Sequence, residues 1–122
     1  MSQATPRPVT ISFRVDVDSK GRIGPGKAAL MDAINNTGSI SAAAKALCMS
    51  YPRALKLVDE LNALSVTPLI LKQHGGASRG GAALSPTGQR VLACYQQMHE
   101  QADRASRALQ HELASLICEE ST

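Results

Sequence analysis

Apolar residues occupy every second position from Val9 to Val17: Val9, Ile11, Phe13, Val15 and Val17 alternate with Thr10, Ser12, Arg14 and Asp16. A period of two is that of a strand with one face buried. Asp18-Ser19-Lys20-Gly21 has the composition of a turn, and Arg22-Ile23-Gly24 follows as a short return strand. At Pro25 the period changes. Leu30, Ala33 and Ile34 give one apolar face to a helix predicted from Pro25 to about Asn36, with Gly38 as its left-handed stop. Two further helices are predicted between Gly38 and Leu64. The first has Ser39 or Ser41 as N-cap and a run of small helix formers, Ala42, Ala43, Ala44 and Ala46. Leu47-Cys48-Met49 interrupts it. Ser50 then caps a second helix with Pro52 in its first turn, and Leu57, Leu61 and Leu64 share a face with Ala54 and Val58.

A short helix, a turn and a longer helix that starts with polar and basic residues is the pattern of a helix-turn-helix. Ser50, Tyr51, Arg53 and Lys56 would then face base edges and phosphates in a major groove. Two packed helices of an ordinary small α domain are the plainer account. Beyond Leu64 come a connector, Ser65-Val66-Thr67-Pro68, and a short strand, Leu69-Ile70-Leu71. The glycine-rich stretch from His74 to Gly81 carries one base, Arg79, and Ala82-Ala83-Leu84 returns as a second strand. This is a hairpin with a long tip, in sequence the wing of a winged helix-turn-helix. Glycines let such a tip lie close to a phosphate backbone, and Arg79 could reach phosphates or a minor groove. A nucleotide-binding loop is disfavoured, because no GxxxxGK[ST] run and no strand–loop–helix frame is present. A plain surface loop is the alternative.

Ser85 or Thr87 can cap the last element. From there Val91, Tyr95, Met98, Ala102, Ala105, Leu109, Leu113 and Leu116 recur at spacings of three and four, close to a heptad seam with one slip. A helix from about Gly88 to Cys118 would be ~45 Å long. That is more than a small core can cover, so the seam predicts pairing with the same helix of a second chain. Folding back on its own domain is the alternative.

Composition narrows the reading. The chain has 122 residues, 43% of them apolar, and its aromatic residues are only Phe13, Tyr51 and Tyr95. The core must therefore be aliphatic, and the base-stacking platforms of single-strand binders are not expected. No apolar run approaches the ~20 residues of a membrane span, and the first ten residues lack the apolar segment of a signal peptide. The expected location is cytoplasmic and nucleoid-associated, with no membrane partner. Cys48, Cys94 and Cys118 are odd in number and widely spaced, as reduced thiols are. Charge is segregated: residues 39–90 hold six bases and two acids, whereas residues 91–122 hold two bases and five acids. A basic surface would thus accompany the helix pair and hairpin, followed by an acidic assembly element.

Enzyme chemistry has little support. No paired carboxylates stand in a pocket-like context, and no cysteine has an evident histidine partner. His74, His99 and His111 are isolated, and no Cys-x-x-Cys or His-x-x-x-His spacing suggests a metal site. No catalytic residue, metal ligand or cofactor is assigned. A redox-sensing Cys48 is less expected than a packed one. The rival to a DNA-binding protein is a non-catalytic dimerising module that binds a partner regulator. The basic residues Arg53, Lys56 and Arg79 favour the former.

Taken together, Gly-Pro-Gly-Lys at 24–27, Gly-Ser-Ile-Ser at 38–41, Ala43-Ala44-Lys45, Met49-Ser50-Tyr51, Arg53-Ala54, Gly75-Gly76, Gly80-Gly81-Ala82 and Leu84-Ser85-Pro86-Thr87-Gly88 resemble the DNA-binding domain of ModE-type, molybdate-responsive bacterial regulators. That domain is a LysR-like winged helix-turn-helix, and the resemblance spans roughly residues 9–105. Cys48 stands where such motifs usually have glycine, which costs ~1 kcal/mol if the position is left-handed. Leu55 stands where the family commonly has tryptophan. Full-length ModE proteins also carry C-terminal molybdate-binding domains. The chain ends at Thr122 without one, so no molybdate site is carried over; a complete small protein is expected, with a fragment as the alternative.

The expected architecture is mainly α with a small β component: a winged helix-turn-helix with an N-terminal β-hairpin and a long C-terminal dimerisation helix. Residues 1–8 would form a disordered tail, 9–86 the DNA-binding domain, and 87–122 the dimerisation helix and its end. The resemblance implies a homodimeric transcription factor on double-stranded DNA. Ser50, Tyr51 and Arg53 would contact bases. Thr37, Ser39, Ser41, Lys45, Lys56 and Arg79 would contact phosphates.

Overall fold

The alternation from Val9 to Val17 appears directly in the fold: odd-numbered side chains are half-buried and even-numbered ones exposed. The computed structural model describes residues 7–73 and 81–118. Only Val15–Val17 (β1) joins a ladder, antiparallel to Gly21–Ile23 (β2), in the register Val15 to Ile23. The expected strand is therefore shorter at its start. Residues 9–14 stay extended but run beside the C-terminal helix, so their carbonyls meet its side chains. Tyr95 Oη donates to Phe13 O at 2.8 Å, and His99 Nε2 lies 2.9 Å from Ile11 O. The Phe13 ring stacks on Tyr95 at 5.0 Å between centroids and also meets His99. One residue pair per helical turn links arm and helix. The arm reaches further than the expected tail allows: Arg7 donates to the Asp103 carboxylate at 3.3 Å. Residues 1–6 lie outside the described residues.

Helix α1 spans Pro25–Thr37 and ends at Gly38, whose φ of 81° places its N–H on Ile34 O at 2.8 Å. Its Leu30, Met31 and Ile34 are fully buried. Helix α2 is Ile40–Ala46 and α3 is Tyr51–Asn62. Of the two candidate caps on α2 the structure uses Ser39, whose Oγ accepts from Ala42 N at 2.9 Å. The turn between α2 and α3 closes with two bonds, Met49 N to Ala44 O at 2.9 Å and Cys48 N to Lys45 O at 3.1 Å. That pairing is a Schellman motif, which requires a left-handed residue just past the helix end. Cys48 is that residue, with φ 57°.

The second hairpin pairs Ile70–Lys72 (β3) with Ala82–Leu84 (β4), antiparallel, with Ile70 opposite Leu84. Its root is tied to the helices at two points. Ala82 N donates to Gly38 O at 2.8 Å, just before α2, and Asn62 at the end of α3 bonds to Leu69 and Ile70. The tip, residues 74–80, lies outside the described residues, and with it the expected contact of Arg79.

Helix α4, Pro86–Ala105, starts on Ser85, whose Oγ accepts from Gly88 N at 2.9 Å. A Cβ on Gly88 would stand 2.2 Å from Leu69 O, so only glycine lets this first turn rest on the hairpin root. The single helix expected from Gly88 to Cys118 is instead two. It breaks at Ser106 (φ −103°, ψ 10°), and α5 runs Arg107–Ile117. The break has an identifiable cause, a side chain inserted into the backbone ladder. The Gln110 carboxamide donates to Asp103 O at 3.2 Å and to Ser106 Oγ at 3.0 Å, and Ser106 Oγ donates to Ala102 O at 2.7 Å. Gln110 is itself 5% exposed, held from outside by Arg7.

The core is aliphatic, as the composition required. Leu30, Met31, Ile34, Val58, Leu61, Leu69 and Ile70 are its fully buried large side chains, and the small Ala43, Ala44 and Ala54 bring α2 and α3 together. Three helices with a hairpin wing, a β1–β2 hairpin before them and a long helix after them make this a winged helix-turn-helix.

Candidate nucleic-acid interface

Helix α3 is amphipathic. Ala54, Leu57, Val58 and Leu61 face the core, while Tyr51, Arg53 and Lys56 are exposed on the other side. Ser50 Oγ accepts from Arg53 N at 3.2 Å. This cap occupies a lone pair and leaves the hydroxyl proton free to donate to a phosphate or a base acceptor. Ser39 at the start of α2 is in the same position. Neither helix carries an acid in its first turn, so the positive end of the α3 dipole is not offset locally. Ser41 and Lys45 are exposed along α2. Among the described residues, no ion pair engages Lys45, Arg53 or Lys56.

Thr37 stands exposed at the end of α1. Its Oγ1 donates to Ala33 O at 2.7 Å and lies 3.5 Å from Ser39 N. These bonds help to close the end of α1.

Two features of this surface were not legible in the sequence. Lys27 at the start of α1 pairs with Glu60 of α3 at 3.1 Å and also donates to Arg22 O at 2.9 Å. The Lys27 hydrogen bond holds the Glu60 carboxyl below its ordinary range, and the Lys56 and Arg53 charges add to the effect. An acid that feels the Arg53 and Lys56 charges is thereby paired with a base from another helix. The second is the Asn62 clamp, which sets the wing against the far end of α3. No local pattern marks Asn62, because its partners are backbone groups beyond the connector.

The expected dimer seam divides into two parts. Tyr95 is 8% exposed and is spent on its own chain through Phe13, and Val91 is half-buried against the core. Leu92, which the spacing did not select, is also buried. Met98, Ala102, Ala105, Leu109, Leu113 and Leu116 remain exposed. No metal-binding cluster occurs among the described residues, and none of their helices is long and apolar enough to cross a membrane.

No family model matches the chain. It is 42% identical over 74 residues to the molybdenum-pterin-binding protein MopB of Rhodobacter capsulatus, covering 61% of this chain and 27% of that one. It is 33% identical over 94 residues to the transcriptional regulator ModE of Haemophilus influenzae, covering 77% and 37%. Against the DNA-binding transcriptional dual regulator ModE of Escherichia coli K12 the identity is 38% over 71 residues, covering 58% and 27%. The chain thus spans about a third or less of the length of these relatives. Among solved structures, the CbnR DNA-binding domain in complex with DNA superposes with a TM-score of 0.58 at 23% identity, over 72% of this chain and 95% of that one. By its sequence relatives and its architecture together, the chain is a homologue of the ModE-type regulators with a LysR-like winged helix-turn-helix fold.

Proposed function

We propose that the protein is a transcriptional regulator that binds double-stranded DNA as a homodimer. The observation that carries this reading is the exposed, acid-free start of α3: Ser50, Tyr51 and Arg53 project from a capped helix end on a three-helix core, and Glu60, further along α3, is held by Lys27. Here Arg53 reads a base edge, with Ser50 and Tyr51 beside it. Ser39, Ser41, Lys45 and Lys56 hold phosphates on either side, and Arg79 meets the backbone from the wing. Thr37 contributes through the α1 end that it closes. Dimerisation through the exposed apolar residues of α4 and α5 would present two such surfaces to a two-fold symmetric site. The protein acts as a DNA reader and not as an enzyme, in the cytoplasm on the nucleoid.

Selection of purified protein on a random duplex library, followed by salt titration, tests this. A two-fold symmetric enriched site with affinity falling steeply as salt rises is the expected result. A strong salt slope without any enriched site would leave only a non-specific binder. No binding at low salt would make the partner-binding module the better account.

A further inference from the structure

Leu69 joins the end of α3, the root of the wing and the start of α4. Its N–H donates to Asn62 Oδ1 at 2.9 Å, and its carbonyl accepts from Ser85 N at 2.9 Å. Leu69 is fully buried, and Gly88, buried in the first turn of α4, packs on the same carbonyl. On propensity alone glycine is a poor residue for a helix turn. Here a Cβ would run into Leu69 O and crowd its carbonyl carbon as well. The missing side chain therefore sets how near α4 comes to the residue that Asn62 holds. Beside it, Gln89 Nε2 donates to Asn35 Oδ1 at 2.8 Å and ties the same turn to the end of α1. Leu92 and Tyr95 then seat the next turns in the core. The direction in which α4 leaves the domain is thus fixed against α3 by backbone contact through one residue, with no long side chain to take up a shift.

Resting on the homodimeric reading above, we propose that Gly88 is a positioning residue for DNA specificity. It touches no base, yet its contact with Leu69 sets the separation of the two α3 helices in the dimer, and with it the half-site spacing the dimer accepts. A two-fold dimer reads half-sites whose spacing mirrors its own geometry. The exposed α4 residues Met98, Ala102 and Ala105 lie beyond Tyr95, on the far side of this contact from α3. A Cβ at position 88 must back away from Leu69 O by about 1 Å to reach ordinary contact. Tyr95 stands ~10 Å along the helix from Gly88, and Ala105 ~15 Å beyond Tyr95. Pivoting at Tyr95, a shift of ~1 Å at the root becomes ~1.5 Å at Ala105. Two-fold symmetry doubles this to ~3 Å, close to the ~3.4 Å rise of one base pair.

The test uses the full chain and symmetric duplexes that carry two copies of its enriched half-site. Their centre-to-centre spacing is changed one base pair at a time, and a duplex with a single half-site is titrated alongside. Gly88→Ala is expected to move the optimal spacing by about one base pair, or to weaken binding at the parent's optimum about 10-fold, as misplacing one contacted base pair does. Its affinity for the single half-site should stay within about 2-fold, because the two sites are distant from each other. Gly26→Ala, where a Cβ meets nothing within 4 Å, is the control and should keep the parent's spacing profile. Gln89→Ala, at an exposed residue, cuts only the tie to Asn35 and should broaden the profile; it carries the test if Gly88→Ala does not fold. An unchanged profile in folded Gly88→Ala, or in Gln89→Ala where Gly88→Ala does not fold, overturns the assignment. Equal loss at every spacing and on the single half-site also overturns it, since a purely structural residue gives that result. A parent that self-associates but binds every spacing equally well overturns it and leaves the dimer standing. A parent that stays monomeric on DNA overturns the homodimeric reading itself.

Discussion

The carboxamide of Asn62 is bonded to both backbone groups of Ile70: Oδ1 accepts from Ile70 N at 2.9 Å, and Nδ2 donates to Ile70 O at 3.2 Å. The same oxygen accepts from Leu69 N at 2.9 Å. A side chain at the end of α3 thus acts as a strand neighbour for the wing. Asn62→Ala leaves three partly buried backbone groups without partners and is expected to lower stability by about 2–4 kcal/mol. Urea unfolding measures this, and Asn62→Asp, which keeps the acceptor, should lose less. A loss within ~0.5 kcal/mol would mean that water replaces the carboxamide.

Arg53 is exposed, without an ion pair among the described residues, and follows the Ser50 cap by three positions. If it reads guanine through its fork, Arg53→Ala costs about 1–3 kcal/mol on the preferred site and relaxes the preference at one base position. Arg53→Lys keeps the charge but not the fork, so it should retain non-specific affinity and lose the preference. Equal losses on every sequence would place Arg53 on the backbone.

Cys48 holds a left-handed conformation that costs a non-glycine residue about 1–2 kcal/mol. Replacing it with glycine removes that strain but frees the unfolded chain, at a cost of about 0.4–1 kcal/mol. The first effect is larger, so Cys48→Gly should stabilise by about 0.5–1 kcal/mol and Cys48→Val should destabilise, both read from thermal melts. A less stable glycine variant would show that the thiol makes a packing contribution larger than the strain.

The Asp103 carboxyl is held at about 2, below its ordinary 3.8, first by the hydrogen bond from Gln110, then by Arg107 at 2.7 Å, with the Arg7 charge adding to both. A depressed carboxyl contributes stability that is fully present above its unfolded value and fades as pH falls through the folded one. The arm–α4–α5 junction should therefore loosen between about pH 4 and pH 2, and Asp103→Asn should remove that part of the profile. The side-chain amide resonances of Gln110 report the junction directly. Identical acid profiles for the two proteins would sink the assignment.

Much of the fold was written in local pattern. The period-two stretch, the Pro25 start, the Gly38 and Ser50 boundaries and the hairpin strands all rest on propensities and caps, which act within a turn or two of the chain. The exposed face of α3 was legible for the same reason, since a cap, a proline and the spacing of Leu57 and Leu61 orient Arg53 and Lys56 outward. The long C-terminal helix was not. Residues 91–116 keep helical spacing throughout, and nothing local announces that Gln110 turns back to Asp103 and Ser106, or that Arg7 closes over them from the other end of the chain. Likewise Val9 to Phe13 has a strand's pattern, yet its partners are helix side chains, because extended backbone satisfies its hydrogen bonds wherever donors stand. The sequence determined which faces are apolar and where elements start. Only the tertiary structure decided what those faces cover: Tyr95 in its own core, Lys27 on Glu60, Asn62 on the wing and the α5 leucines left facing outward. Those pairings depend on groups distant in sequence being brought together by the core, and periodicity carries no record of them.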